Sequence, residues 1–486
     1  MNVTRSIVSA SLVRPVWQHG ASLVEGPDED AFTLELSALQ QLGRQVRADG
    51  PRALRRVHVI GPVSTSIEWA YGEALGIPGI EIRRHPPGAH GLWGALAAAA
   101  HDEGPRGREA VVGADLVTVG PDFAPATGGR HDSGAVAFLF GEEAGLSVRR
   151  HGFRGHAPGR SPSMKSSIAG WVAALDLPSS KPVGEIVFSG EEDLSRWQSA
   201  WEETAPGTTV TFANGPAVPP GQSRVLPVAQ LIWELGRRLR SGGCGAVVEA
   251  ARGRTEFAGF RLDGPVRWLG GWGGSAAGLA PPGDHFLRRD IPVGAVSQGA
   301  YVPLPRYLEN LGSRWRLEGD RCTHCRSLTF PVAGRCRSCG RSDGLRSEAL
   351  PRTGLEVEAV TTISSGAQPT EFDGLVEAAG AYDVALVALG GGARATVQVT
   401  DSGAGKLHVG DRVGLVLRRL YPMEGEWRYG LKAVPETRDV SAPSAVKPFR
   451  RPSRPSREPS SSLPTARRAT PRARGGRAAR RRPAER

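Results

Sequence analysis

The stretch RCTHCRSLTFPVAGRCRSCG (321–340) holds four of the five cysteines in this chain of 486 residues. Its two CxxC pairs can present four thiolates to one metal ion, and Gly334 and Gly340 allow the tight turns that such knuckles need. Four thiolates complete a tetrahedron, which leaves no position for water or a substrate. The stretch therefore predicts a structural zinc ion (Zn2+) held by Cys322, Cys325, Cys336 and Cys339.

Two alternatives compete with a zinc site for the same cysteines. The CxxC pairs can act as redox dithiols, or their spacing can be accidental. A disulfide framework is disfavoured because it would spread cysteines along the chain, whereas four lie within 18 residues here. His324 lies inside the first pair, and we expect it at the surface because four cysteines already satisfy the ion.

The composition is typical of a soluble globular protein, with 40% hydrophobic and 23% charged residues. There is no run of 18 apolar residues, and the N-terminal residues lack the apolar core of a secretion signal. We therefore expect a cytoplasmic protein without a membrane span.

The net charge of +12 is concentrated near the C-terminus. Residues 441–486 contain 14 basic and 2 acidic side chains, whereas the first 440 residues contain 47 of each. From about residue 436 the chain is rich in Pro, Ser, Arg and Ala, and it has too few large apolar groups to offset the entropy of ordering. We expect a disordered tail over 436–486.

Strands and helices alternate over residues 1–265, which is typical of a layered α/β domain. Apolar residues at helical spacing predict a helix over 29–46, with Asp28 as its N-cap. Further helices are predicted at 91–101, 168–177 and 228–242. Strands are predicted near the N-terminus and at 55–61, 116–120, 133–141, 184–190 and 245–251.

Residues 264–298 are rich in Gly and Pro and are predicted to form a linker. A helical stretch at 301–319 precedes the cysteines. After them come five strand-like runs without an intervening helix: LEVEAVTTI (355–363), DVALVALG (383–390), ARATVQVT (393–400), RVGLVLRRL (412–420) and WRYGLKAV (427–434). Short strands separated by Gly and Asp turns predict a small Greek-key barrel of the OB type.

The order of these elements resembles the zinc-ribbon/OB-fold proteins that accompany thiolases, over residues 299–435. The barrel motifs that carry the resemblance are YDVALVALGGGARATVQVTD (382–401) and VGDRVGLVLRRL (409–420). The resemblance implies a module that docks on thiolase-fold enzymes and helps to shape a coenzyme A (CoA) site. An OB fold alone would suggest nucleic acid, but this barrel has a mixed charge and few aromatic residues.

The first 265 residues resemble the archaeal and bacterial hydroxymethylglutaryl-CoA synthases, which have the thiolase fold. The matching stretches occur in the family order: PDEDAFTLELSA (27–38), GADLVTVG (113–120), HDSGAVAFLFG (131–141), FANGPAVPPGQ (212–222) and LRSGGCGAVVEAARG (239–253). The resemblance implies a thiolase-like domain fused to its ribbon–barrel partner.

Catalysis in that family needs a cysteine that forms the acyl-enzyme, a glutamate that moves a proton and a histidine that stabilises the acyl oxygen. Laid on the family pattern, GAHGLWGALAAAA (88–100) occupies the nucleophile segment, with His90 where the cysteine belongs. Val63 takes the place of the glutamate, and Ser189 takes that of the histidine. The resemblance therefore implies a fold that is kept without its chemistry.

Other residues offer little replacement for these groups. Cys244 opens a strand, where core packing is favoured over catalysis. His90 can titrate near neutral pH and remains an alternative base, whereas His131 and His156 have no partner that the sequence identifies. Ser189 has no neighbouring base that would make it a nucleophile.

Together these patterns predict five segments: a thiolase-like α/β domain over 1–263, a linker over 264–298, a helix and rubredoxin-like zinc ribbon over 299–345, an all-β OB-fold barrel over 346–435, and a disordered basic tail over 436–486. The predicted function is a noncatalytic acyl-CoA-binding or scaffold subunit of a thiolase or hydroxymethylglutaryl-CoA synthase-type complex. Its expected partners are a thiolase-fold enzyme subunit or a second copy in a dimer, with a CoA thioester as ligand.

Two alternatives to this function stay open. The chain can be an active acyl-CoA enzyme with a noncanonical site, either a retro-aldol lyase or a thioester-condensing synthase. It can also bind nucleic acid through the basic residues 441–486, whose arginines would neutralise phosphates without base specificity.

Overall fold

The structure is a computed structural model that describes residues 5–15, 17–19, 22–24, 28–42, 53–61, 68–77, 79–101, 107–116, 133–155, 185–190, 199, 202–204, 210–212, 224–239, 241–251, 254–269, 304–423 and 426–436. Helices lie at Ala31–Gln41 (α1), Glu68–Leu75 (α2), Ala89–His101 (α3), Val225–Arg238 (α4), Leu304–Glu309 (α5) and Asp373–Ala379 (α6). A π-helical turn covers Gly312–Arg316, and a 3-10 turn covers Thr370–Phe372. None of the described helices has the length and apolar character needed to cross a bilayer.

The strands of the N-terminal part are Ser6–Val13 (β1), Trp17–His19 (β2), Ser22–Val24 (β3), Leu54–Ile60 (β4), Glu81–His85 (β5), Arg108–Asp115 (β6), Gly134–Gly141 (β7), Leu146–Gly155 (β8), Glu185–Gly190 (β9), Val210–Phe212 (β10), Cys244–Ala251 (β11), Arg254–Leu262 (β12) and Arg267–Leu269 (β13). The cysteine-rich part contains Glu318–Cys322 (β14), Leu328–Thr329 (β15) and Leu345–Ala349 (β16). The C-terminal part contains Leu355–Ile363 (β17), Tyr382–Gly390 (β18), Ala393–Gln398 (β19), Arg412–Met423 (β20) and Glu426–Pro435 (β21).

A mixed sheet in the order β10-β9-β11-β12-β8-β1-β7-β6-β4-β5 forms the centre of the N-terminal part, with β13 parallel to β1. Strand β7 is buried along its whole length because alternate residues enter two different cores. Val136 and Phe138 pack with α3 and α4, whereas Ala137 and Leu139 pack with α1 and α2. Helices therefore cover both faces of the sheet, which confirms the predicted α/β layers.

Most of the predicted elements that lie in the described residues are present. Strand β6 was not predicted, and the expected strand at 116–120 and helix at 168–177 lie almost wholly outside the described residues. The stretch 301–319 is helical only in part, since β14 begins at Glu318. Strand β13 lies inside the stretch predicted as a linker, so the sheet continues to Leu269.

The N-cap of α1 is Asp30, and the prediction of Asp28 was wrong. Asp30 Oδ1 accepts a hydrogen bond of 2.8 Å from the Thr33 backbone N–H, and the Thr33 hydroxyl oxygen accepts one of 2.9 Å from the Asp30 N–H. This reciprocal pair satisfies two donors at the helix start. Asp28 instead forms an ion pair with Lys432, which lies 404 residues later in the sequence.

The ribbon and the C-terminal sheet follow directly after each other. Strand β14 lies between β15 and β16, and the five predicted runs form a sheet in the order β19-β18-β17-β20-β21. A parallel bridge between Val399 and Ala433 brings the end of β19 to β21. Helix α6 lies between β17 and β18, contrary to the expectation that no helix intervenes. Assignment to the OB type stays a prediction, and the tail from residue 437 lies outside the described residues.

The C-terminal sheet and the N-terminal part share one apolar core. Phe32 of α1 makes edge-on contacts with Tyr71 of α2, at 4.9 Å between ring centroids, and with Tyr429 of β21, at 5.2 Å. Trp315 of the π-helical turn joins the same cluster and is almost fully buried. Burial of several aromatic rings in one cluster stabilises the contact between the two parts.

A buried group of charges lies beside this aromatic core. Lys432 Nζ lies 2.8 Å from Asp28, and Arg418 Nη2 lies 2.9 Å from Glu29 and 3.1 Å from Asp401. All five side chains are at most 6% exposed. Burial alone would raise the pKa of Asp28, but Lys432 and Arg418 outweigh it and hold the pKa below its usual value. The carboxylate is therefore charged in the folded protein at neutral pH.

Replacing Lys432 with Met should lower the free energy of unfolding by about 3–5 kcal/mol, because it leaves a buried carboxylate without its ammonium partner. Urea denaturation at pH 7 measures this loss. Arg394→Met is the matched control, since Arg394 forms an ion pair with Glu358 at the surface, with its own side chain 54% exposed. That variant should change stability by less than about 1 kcal/mol. Equal losses in the two variants would contradict a special role for the buried pair.

Stability should also fall as the pH rises, because of Glu35 in α1. This carboxyl is buried against Tyr71, whose hydroxyl donates to it, and burial raises the pKa of Glu35 to about 8. At intermediate pH the folded protein thus keeps a proton on Glu35 that the unfolded chain releases. The stability that depends on this proton is complete below the pKa of Glu35 in the unfolded chain, and it is lost as the pH rises through 8. Unfolding free energies between pH 5 and 9 should fall in the native protein by up to about 1.4 kcal/mol per pH unit.

Glu35→Gln should remove most of this pH dependence, because the amide does not titrate. Glu356→Gln is the control, since the Glu356 side chain is 57% exposed and should leave the slope unchanged. A slope that persists in Glu35→Gln would show that another group is responsible.

Candidate metal centre

Two turns of similar geometry carry the four cysteines of the ribbon. In the first, the Arg326 N–H donates to the carbonyl of Cys322 at 2.9 Å, and in the second the Gly340 N–H donates to the carbonyl of Cys336 at 2.9 Å. Arg326 and Gly340, which each follow the second cysteine of a pair, have φ angles of 59° and 74°. Both turns therefore need a left-handed residue at this position, which glycine adopts without steric cost.

The four sulfur atoms form one compact group. All lie within 4.8 Å of one another, with 3.7 Å between Cys322 and Cys339 and 3.4 Å between Cys325 and Cys336. A tetrahedral ion with Zn–S bonds of about 2.3 Å needs sulfurs separated by about 3.8 Å. The group fits such an ion, and no other set of this kind occurs among the described residues. The cysteines can therefore hold a structural metal ion, as the sequence predicts.

Ser327 contacts the sulfur group, and the sequence analysis did not single it out. Its hydroxyl lies 3.1 Å from the sulfur of Cys325 and 3.0 Å from that of Cys336. The hydrogen bond between Ser327 and Cys336 is the main reason that the pKa of Cys336 falls to about 5, and the bond between Ser327 and Cys325 lowers the pKa of Cys325. Its signal in the sequence is a hydroxyl residue two positions after the second cysteine.

Cys339 behaves in the opposite way. Its hydrogen bond with the Arg341 backbone lowers the pKa, but burial and the neighbouring thiols outweigh this effect and raise the pKa to about 12. Four thiolates without a cation would repel one another, so the last thiol keeps its proton. A divalent cation removes that repulsion, since metal ligation requires deprotonated cysteines.

The other residues singled out by sequence lie apart from the sulfur group. His324 is exposed, and its Nε2 lies 3.2 Å from Asp343, in agreement with the surface position expected for it. His90 is the second residue of α3 and is exposed, and Ser189 lies in β9. Cys244 opens β11 and is partly buried. Val63, His131 and His156 lie outside the described residues.

A second cluster of titratable side chains lies across β4, β5 and β6. His58 contacts Glu109 at 2.8 Å and His85 at 2.9 Å, and Arg5 lies 3.2 Å from the same carboxylate. Burial would raise the pKa of Glu109, but the hydrogen bond with His58 and the nearby arginines lower it to about 2. The cluster neutralises a buried carboxylate and links three strands, and sequence reasoning did not single it out.

Purified protein should contain about one zinc ion per chain, and Cys325→Ser should lose most of it, because three thiolates and a hydroxyl bind zinc far more weakly. Elemental analysis of the native protein and the variant measures the metal content. Cys244→Ser is the matched control, since Cys244 lies outside the sulfur group, and it should retain the ion. A folded ribbon without metal would contradict the assignment.

No protein-family profile matches the chain. Solved structures similar to it include the acyltransferase ChlB3, with 14% identity and a TM-score of 0.38 over 53% of this chain and 98% of that one. Another is the 3-oxoacyl-[acyl-carrier-protein] synthase III from Aquifex aeolicus VF5, with 12% identity and a TM-score of 0.37 over 53% and 99%. With TM-scores this low, we draw no conclusion from either similarity.

A DUF35 domain-containing scaffold protein from Methanothermobacter thermautotrophicus gives a closer comparison. It is 30% identical over 135 residues, which are 27% of this chain and 96% of that protein. The similarity thus spans nearly the whole of the relative. Through this segment, the chain belongs to the family of DUF35 domain-containing scaffold proteins.

Proposed function

We propose that the chain is a noncatalytic scaffold subunit of a thiolase or hydroxymethylglutaryl-CoA synthase-type complex. The observation that carries the proposal is the similarity to a scaffold protein over nearly its entire length. In this chain the similarity is part of a longer protein, which also contains a layered α/β part. The sequence resemblance to thiolase-fold synthases indicates the class of enzyme that this scaffold would bind.

The contacts between the ribbon and the α/β part support a rigid arrangement. Arg316, in the π-helical turn before the ribbon, donates from Nη1 to the carbonyl of Glu73 in α2 at 2.9 Å. The Arg419 N–H donates to the carbonyl of Asp28 at 3.0 Å. Together with the buried ion pairs and aromatic contacts, these bonds fix the turn before the ribbon against α2, and the C-terminal sheet against α1 and the residues just before it. A fixed geometry of this kind suits a protein that positions another subunit.

The residues at the family's catalytic positions favour a noncatalytic role. His90 stands where the resemblance expects the acyl-forming cysteine, and an acyl-imidazole hydrolyses too readily to be held for condensation. Val63 cannot move a proton, and Ser189 is a neutral hydroxyl. A domain can keep its fold for its surface after its nucleophile is lost. The acyl-CoA ligand and the partner, a thiolase-fold enzyme or a second copy, are part of the same proposal.

Purification of the tagged full-length chain from its native host tests the scaffold role. We expect a thiolase-fold enzyme to copurify and to be identified by mass spectrometry. Cys325→Ser should lose this partner because the ribbon loses its metal, whereas Cys244→Ser should retain it. Recovery of the chain alone, or with nucleic acid only, would overturn the proposal.

Incubation with acetyl-CoA or acetoacetyl-CoA should leave the mass of the intact chain unchanged, because no acyl-enzyme forms without the cysteine. Intact-mass spectrometry measures this directly, and calorimetry reports separately whether CoA binds. A stable acyl adduct at Cys244 or His90 would restore the condensing synthase. Turnover of a β-hydroxyacyl-CoA without an adduct would instead indicate the retro-aldol lyase.

A further inference from the structure

Arginines bracket both cysteine pairs of the ribbon. Residues 321–346 contain six arginines and one aspartate, with no lysine or glutamate. Arg321 and Arg326 flank the first CxxC pair. Arg335 precedes the second pair and Arg337 lies inside it. The close approach of Cys325 and Cys336 sulfurs, at 3.4 Å, places these two arginine-flanked turns side by side.

Two of the six arginines already bind carboxylates through both arms of the guanidinium group. Arg321 Nε and Nη2 lie 2.7 Å and 2.6 Å from the two oxygens of Glu348. Arg341 Nε and Nη2 lie 2.9 Å and 2.7 Å from those of Asp343. This paired geometry is the one by which arginine recognises planar carboxylates. The ribbon surface is thus suited to carboxylate recognition.

The other four arginines, which we call the arginine rim, are exposed: Arg326, Arg335, Arg337 and Arg346. Within the part of the chain that the structure describes, none of the four forms an ion pair. Arg346 lies opposite Arg321 in the β14–β16 register, so it extends the rim from the turns onto the sheet. The rim therefore presents unpaired guanidinium groups next to two arginines that are already paired.

The backbone of Arg326 gives a second, independent observation. Its φ of 59° is left-handed, at the position that Gly340 occupies in the other turn. A side chain at such a position costs about 1–2 kcal/mol relative to the ordinary right-handed conformation. Folding of the turn alone would therefore favour glycine, yet this chain has an arginine at the position. Such a residue points to a role for its side chain.

We propose that the arginine rim is a docking surface for a carboxylate-rich surface of a partner protein. The proposal rests on the scaffold function, and it names the surface through which the scaffold engages its partner. Single-stranded nucleic acid is disfavoured because binding to it uses exposed aromatic rings for base stacking. Phe330 is the sole Phe, Trp or Tyr between residues 321 and 346, and it is only partly exposed.

Chemical modification of the arginines in the full-length chain tests this surface. Because the extent of modification is read at each arginine separately, the arginine rim is distinguished from the arginines of residues 441–486. The chain is treated with phenylglyoxal in the presence of poly-L-glutamate, and modified sites are mapped by mass spectrometry. We expect at least about twofold protection of the rim arginines, in line with exposed ion pairs. Arg237 and Arg267, which are also exposed, should be unaffected.

Two results of that experiment would overturn the proposal. One is protection confined to residues 441–486 or spread equally to Arg237 and Arg267. The other is protection of the rim by a 20-base-pair DNA duplex but not by poly-L-glutamate, which would assign the rim to nucleic acid.

Arg326→Gly separates binding from folding, because the two should change in opposite directions. Glycine removes the backbone cost, so the thermal stability of the ribbon should stay equal or rise, while binding of poly-L-glutamate to the ribbon should weaken by about 2- to 5-fold. Loss of both would mean that Arg326 is structural, and loss of neither would also contradict the proposal.

The double variant Arg326→Gln with Arg337→Gln distinguishes this proposal from the scaffold function. Its capture of the copurifying partner should fall, and the control Arg237→Gln with Arg267→Gln should capture the partner normally. Undiminished capture by the rim variant would reject the rim while the scaffold function stands. Absence of any partner from the native protein would reject the scaffold function itself.

Discussion

The buried ion pairs between the start of α1 and the last two strands are the constraint on which the arrangement of this protein depends. Arg418 and Lys432 have lost nearly all contact with water, so each is tolerable only with its carboxylate in place. Glu29 and Asp28 meet this requirement in a single relative position of the two parts. Phe32 and its aromatic neighbours contribute the apolar burial that makes the contact favourable, whereas the charges restrict its geometry.

This constraint is compatible with the proposed scaffold role. The α/β part keeps a sheet covered on both faces, and its helix α1 supplies the aromatic contacts to the C-terminal sheet, while Asp28 and Glu29 just before α1 supply the charged ones. The contacts described here do not involve His90. Under the proposed scaffold role, selection for a docking geometry and selection for catalysis act on different residues, and the first can continue after the second ends.

The ribbon relies on a different source of stability. Few of its side chains are buried, and those that are include Cys322, Thr329 and Cys336. Metal binding in zinc peptides contributes about 10–16 kcal/mol of apparent free energy, which is enough to order a segment with so little core. A metal ion bound to the four cysteines would stabilise the ribbon without a large core, which leaves the remaining ribbon positions free to present charged side chains. The arginine rim occupies those positions.

Sequence alone determined the features that depend on local spacing. The CxxC spacing identified the four cysteines that can hold a metal ion, continuous apolar runs identified strands such as β7, and five short runs identified the strands of the C-terminal sheet. Tertiary structure decided that Asp30 rather than Asp28 caps α1, that Ser327 bonds two of the sulfurs, and that β13 joins the sheet. Asp28 and Asp30 are the same residue type two positions apart, and their partners in the folded protein distinguish them: Lys432 for Asp28, and Thr33 and Tyr429 for Asp30. Such choices depend on partners brought together by folding, and local spacing carries no record of those partners.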